Sequence, residues 1–103
     1  YLVLNFDDET VRDIKNKREG HSLTFGFGAR ANIRASDIVL TQAPDLGTNF
    51  KMNYEGNIVP CWLENLFGKE HIYAALAAAA VGEILGLNLI EVSEALKSYH
   101  GSP

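Results

Sequence analysis

Six of the nine residues from Tyr73 to Val81 are alanine, and no other stretch of the chain is so committed to one local structure. Alanine loses no side-chain entropy in a helix, so this segment reads as helical from Lys69 onward, with Gly86 as its stop. Such a helix has little apolar bulk of its own. Its small side chains suit it to lie close against a sheet or a neighbouring backbone. A second helix follows, because Leu89, Val92, Leu96 and Tyr99 recur at helical spacing with Glu91, Glu94 and Lys97 toward solvent.

The remainder of the chain supplies the sheet. Tyr1-Leu2-Val3-Leu4 is a continuous apolar run, the pattern of a strand buried on both faces. It has no polar lead-in, and His100-Gly101-Ser102-Pro103 is turn-like, so the expectation is a piece of a longer protein. Asp7-Asp8-Glu9-Thr10 starts a short helix carrying Val11 and Ile14, closed by Glu19-Gly20. Extended segments follow at Ser22 to Phe25, Ile33 to Thr41, Phe50 to Tyr54 and Ile58 to Leu63, the last two joined by a hairpin loop at Glu55-Gly56-Asn57. Residues 1–103 therefore read as one α/β unit, a sheet with packed helices.

Composition removes several function classes. Nine Lys plus Arg against thirteen Asp plus Glu give a net charge of -4, which lacks the basic face a nucleic-acid partner requires. No apolar run reaches the roughly 18 residues of a membrane-spanning helix, and no signal peptide opens the chain, which reads as cytoplasmic. The single Cys61, between Pro60 and Trp62, has no disulfide partner in the chain and reads as a buried packing residue. His21, His71 and His100 are too scattered to hold a metal.

Two places could carry chemistry. Asn5 stands at the carboxyl end of the opening strand, where open α/β sheets receive ligands, and is followed by Asp7-Asp8. Its amide could read the edge of a base, or it could cap the turn while Asp7 or Asp8 caps the helix. Gly68-Lys69-Glu70-His71 opens the alanine helix, and free N–H groups there attract anions. Glu70 already complements that helix dipole and repels phosphate; His71 could touch a ligand or cap the helix. Phe25-Gly26-Phe27-Gly28 lacks the third Gly of a dinucleotide fingerprint and reads as a strand end and turn.

Val3-Leu4-Asn5-Phe6-Asp7-Asp8 resembles the strand-and-turn motif of the ATP-dependent Mur ligases. Thr24-Phe25-Gly26, Ile33 to Ile38, Gly47-Thr48-Asn49-Phe50 and, most specifically, Gly68 to Gly82 are similar to that family in order and spacing. The resemblance runs over nearly the whole chain and corresponds to the second half of the family's central, ATP-binding domain. Within the family, the segment around Asp37 and the helix after Gly68 look most like the step that adds D-alanyl-D-alanine. The helix pattern Gly-x-His-Asn-x-x-Asn-Ala reads here with Glu70 at the His position, His71 at the first Asn and Ala74 at the second.

The resemblance implies amide-bond formation in which ATP phosphorylates a carboxylate and an amine captures the acyl phosphate. It implies ATP and Mg²⁺ as cofactors and a UDP-N-acetylmuramoyl peptide with an amino acid or dipeptide as substrates. The phosphate loop and metal ligands belong to the other half of that domain. For this segment it implies an adenine-side wall, with Asn5, Asp8, Glu70 and His71 as cofactor-binding residues, and no activity on its own. Two alternatives remain: a structural or interaction module derived from such a domain, and a folylpolyglutamate or polyamino-acid ligase of the same superfamily.

Overall fold

The computed structural model describes residues 2–9, 22–42 and 46–97. The short helix expected after Asp7 falls mostly on residues 10–20, and Tyr99, His21 and His100 also lie outside the described residues. Five strands form one sheet in the order of the chain: β1 (Leu2–Asn5), β2 (Ser22–Gly26), β3 (Ile33–Thr41), β4 (Gly47–Tyr54) and β5 (Asn57–Glu64). β1, β2 and β3 run parallel, whereas β3, β4 and β5 are antiparallel. Helix α1 (Lys69–Ile84) packs across β1, β2 and β3, and α2 (Leu89–Lys97) lies on β5. This is the α/β arrangement the sequence predicts.

The alanine helix works as its composition suggests. Ile72, Ala75, Leu76, Ala79 and Ala80 are buried against the sheet, while Ala74 and Ala78 face outward. Gly86, at φ 89°, ends the helix in a left-handed residue. Its N–H donates to the Glu83 carbonyl and that of Leu87 to the Gly82 carbonyl, so two carbonyls of the last turn find donors. α2 then opens on a reciprocal cap: Asn88 Oδ1 accepts from the Glu91 N–H, and Glu91 Oε1 from the Asn88 N–H. Leu89 and Val92 turn inward, and Leu96 is half-buried.

Three sequence expectations need correction. β1 is the sheet's edge strand among the described residues, with a neighbour on one side only, so Val3 and Leu4 are half-buried rather than enclosed on both faces. β4 begins at Gly47, three residues before Phe50. The polar opening Gly-Thr-Asn hides that strand, yet a Cβ at Gly47 would collide with the Leu63 carbonyl and lie 2.6 Å from the Trp62 ring. Beside it the fully buried Thr48 hydroxyl donates to the Leu66 carbonyl at 2.7 Å. The hairpin turn is the pair Glu55-Gly56, at φ 48° and 83°, while Asn57 is already in β5. A tight reversal needs positive φ at both central residues, and Glu55 adopts it although its Cβ disfavours that region.

Candidate functional site

The carboxyl ends of the parallel strands β1 and β2 open side by side, and α1 begins close by. The residue that organises this corner is Asp7. Its Oδ2 accepts from the Phe27 N–H at 2.8 Å and from the Tyr73 hydroxyl at 2.8 Å, and its Oδ1 accepts from the Gly28 N–H at 3.1 Å. One carboxylate thus joins the turn after β1, the loop after β2 and the second turn of α1. Gly26 leaves room for it, because a Cβ there would lie 2.6 Å from Asp7 Oδ1. The loop after β2 is tied at its far end too: Asn32 Oδ1 accepts from the Thr24 N–H and hydroxyl, and Thr24 Oγ1 accepts from the Asn32 N–H, all at 2.9 Å.

Aromatic packing completes the corner. Tyr73 meets Phe27 edge-on with ring centroids 5.1 Å apart and Phe25 at 6.2 Å, and the Lys69 ammonium sits 5.7 Å from the Phe27 centroid. Burial and then the bond to Asp7 push the Tyr73 phenol up from 10 to about 12, against a smaller opposing pull from the Asn5 side chain. The protonated phenol is the form the fold holds. Its stabilising contribution is complete below pH about 10 and is lost as pH rises through about 12. In a phenolate absorbance titration Tyr73 should ionise later than an ordinary tyrosine, and Tyr73→Phe should remove that late step. Titration of Tyr73 at an ordinary phenol pKa would contradict the bond to Asp7.

The residues nominated from sequence meet this corner unequally. Asn5 is at the end of β1 as expected, but its Oδ1 accepts from the Asp7 N–H at 3.0 Å. It braces the turn that carries Asp7. Asp8 is exposed in that turn. Asp7, read as a possible helix cap, spends its carboxylate on Phe27, Gly28 and Tyr73 instead. Glu70 folds back over the helix start, its Oε2 2.7 Å from where a Gly68 Cβ would stand. His71 Nε2 is 3.9 Å from Glu70 Oε1. The N-cap of α1 is Gly68, with no side-chain cap hydrogen bond, so His71 does not cap the helix. Ala74 faces outward without a polar atom to offer.

Sequence reasoning missed Tyr73 and Thr24, which looked like helix filler and strand interior. An acidic residue just past one strand and a Gly-x-Gly just past the next is the pattern that could have found the carboxylate-to-loop link. Beside it, Phe6, Asp7, Gly28, Ala29 and Arg30 line an open cavity of about 240 Å³. Cys61 is buried, and burial raises its thiol to about 11 despite the Trp62 backbone and Lys97, so it stays a protonated packing residue at neutral pH. Among the described residues no group of three His, Cys, Asp or Glu side chains could hold a metal, and no helix is long and apolar enough to cross a membrane.

No family model matches the chain. Among curated proteins it is 36% identical over 99 residues to the UDP-N-acetylmuramate--L-alanine ligase of Xylella fastidiosa (strain M12), covering 96% of this chain and 20% of that protein. It is 30% identical over 103 residues to the UDP-N-acetylmuramoyl-L-alanyl-D-glutamate--2,6-diaminopimelate ligase of Bacillus cereus, covering 100% of this chain and 20% of that protein. Its homologues are Mur ligases. The fold agrees with a Mur ligase fold, since MurF from Acinetobacter baumannii superposes with a TM-score of 0.80 over 97% of this chain and 21% of that one, at 20% identity. The chain spans about a fifth of the length of these Mur ligases. The two sequence relatives are named for L-alanine and diaminopimelate, and the structural match, at 20% identity, speaks to fold alone.

Proposed function

We propose that the chain is a segment of an ATP-dependent Mur-type ligase that joins an amino acid or dipeptide to a UDP-N-acetylmuramoyl peptide in the cytoplasm, and that its strand-end corner walls the adenine side of the nucleotide site. The observation that carries this reading is similarity to Mur ligases along the whole chain, with the corner at the carboxyl ends of parallel strands where such sheets receive ligands. D-alanyl-D-alanine as the added group rests on the resemblance of the segment around Asp37 and the helix after Gly68.

The parts of the nucleotide fit this segment differently. A base suits the cavity beside Phe6 and Arg30, where an aromatic ring and a guanidinium offer stacking surfaces. Phosphates do not suit the start of α1, because the Glu70 carboxylate covers it. The described residues hold no group of three acidic, His or Cys side chains that would suit Mg²⁺. The chemistry left to this segment is binding and orientation: Asn5, Asp7 and Tyr73 hold the loop after β2 against α1 and fix the wall's shape. A remote binding wall of this kind contributes to both ground and transition states.

The test is a phosphate-release assay on the full-length parent with ATP, UDP-N-acetylmuramoyl peptides and candidate amino acids or D-alanyl-D-alanine. Release that requires both substrates is expected, and the 103-residue chain alone should give none above background. Release by the isolated chain would overturn the assignment of a wall without phosphate chemistry. A parent that neither binds nor consumes ATP would favour the interaction-module reading, for which the Glu70 and Ala74 departures speak.

A further inference from the structure

The loop after β2 presents one short stretch to the cavity beside Phe6. The Gly28 carbonyl accepts from the Ala31 N–H at 3.2 Å, which closes a turn with Ala29 and Arg30 exposed at its tip. Gly28, Ala29 and Arg30 all line the cavity. Asp7 fixes the incoming end of this turn through the Phe27 and Gly28 N–H groups. The outgoing end is fixed differently. β3 pairs with β2 only at Phe25 with Ile33 and Gly26 with Arg34, so no β3 residue reaches the Thr24 N–H. The Asn32 side chain takes that place: its Oδ1 accepts from the Thr24 N–H and hydroxyl, and the same hydroxyl oxygen accepts from the Asn32 N–H, all at 2.9 Å. Thr24 is fully buried, so its hydroxyl depends on Asn32 rather than on water.

We infer that Thr24 and Asn32 are positioning residues for the ligand of that cavity, which on the reading proposed above is the base of the nucleotide. Their paired bonds hold the turn from Gly28 to Ala31 in its binding shape before the ligand arrives. A turn anchored at one end only would swing about Gly28, whose missing Cβ leaves its backbone free. With both ends tied, the ordering of the Ala29 and Arg30 backbone is completed in folding and does not weaken binding. The two anchors are chemically distinct. Asp7 acts as a charged acceptor on backbone donors, whereas Thr24 and Asn32 are neutral and satisfy each other. Neither Thr24 nor Asn32 lines the cavity, so their effect on a ligand passes through the turn between them.

ATP titration and steady-state turnover of variants of the full-length parent test this. Thr24→Val keeps the shape of the side chain and removes the hydroxyl, and Asn32→Ala removes the amide at an exposed position. Each should raise the dissociation constant for ATP about 3- to 10-fold, the equivalent of one hydrogen bond, with kcat at saturating ATP nearly unchanged. Thr24→Ser keeps the hydroxyl and should restore the affinity. Asn53→Ala is the control for stability alone. The Asn53 Nδ2 donates to the Arg34 carbonyl at 3.1 Å and to Ser36 Oγ at 2.8 Å, between β3 and β4, so its loss should lower the urea midpoint without moving the ATP constant. Arg30→Ala, at the cavity itself, separates the proposal from the reading it rests on. Weakened binding in Arg30→Ala with parent affinity in Thr24→Val and Asn32→Ala would overturn the positioning role alone, as would equal weakening in Asn53→Ala or no recovery in Thr24→Ser. Parent affinity in Arg30→Ala would overturn the reading of the cavity and the proposal with it.

Discussion

Asp7→Ala is expected to lower folding stability by about 3 kcal/mol, a large share of the reserve of a domain this size. The carboxylate accepts from two backbone N–H groups and one phenol, and alanine leaves all three donors without it. The Phe27 and Gly28 donors sit in a loop whose shape depends on them, so their loss is felt in β2 and α1 together. Hydrogen bonds to a charged acceptor contribute about 1.5–3 kcal/mol each, but those sharing one carboxylate are not additive. Asp7→Asn separates the parts. Its oxygen can still serve Phe27 and Tyr73 while its amino group meets the Gly28 N–H, so it should lose about half as much as the alanine variant. Urea titration monitored by circular dichroism reads both; a cost below about 0.5 kcal/mol for Asp7→Ala would remove Asp7 from its organising role.

Phe50→Ala should cost still more, about 3–5 kcal/mol. Phe50 is 2% exposed, in the middle of β4, directly across from the buried Cys61 and in one core with Ile33, Met52, Leu63 and Leu76. Alanine removes the ring and leaves a cavity in that core, beside strands β3 and β5 that cannot close on it without losing ladder bonds to β4. The variant should have a markedly lower denaturation midpoint and populate unfolded chain at physiological temperature. A midpoint within about 1 kcal/mol of the parent would mean that the β4 core is far looser than its burial indicates.

Local, periodic features of this fold were legible in the sequence, and features set by contacts between distant residues were not. The alanine helix, its Gly86 stop, the α2 face of Leu89 and Val92, and β3 from Ile33 to Thr41 follow from propensity and spacing within a few residues. The start of β4 was hidden because Gly47 is chosen by the Trp62 ring packed on it, a contact fifteen residues away in sequence. The corner follows the same rule. Asn5 and the acidic turn stood out locally, but the role of Asp7 depends on Phe27, Gly28 and Tyr73, twenty to sixty-six residues away. Tyr73 stood at the edge of an alanine run and gave no local sign that its hydroxyl reaches a carboxylate on another element.

The claim that the strand-end corner walls a nucleotide site is tested most directly by titrating ATP against the full-length parent and its Asn5→Ala variant, with Cys61→Ser as the control. Asn5 accepts from the Asp7 N–H and so fixes the turn that carries the corner's carboxylate; its loss should loosen the wall and weaken ATP binding by about 1–3 kcal/mol. Turnover at saturating ATP should fall less, because the wall is remote from the reacting phosphate. Cys61→Ser, buried in β5 at the opposite edge of the sheet from β1, should bind ATP as the parent does and lose only stability. Equal ATP affinity in Asn5→Ala and the parent would contradict the account and leave Asn5 a turn brace alone.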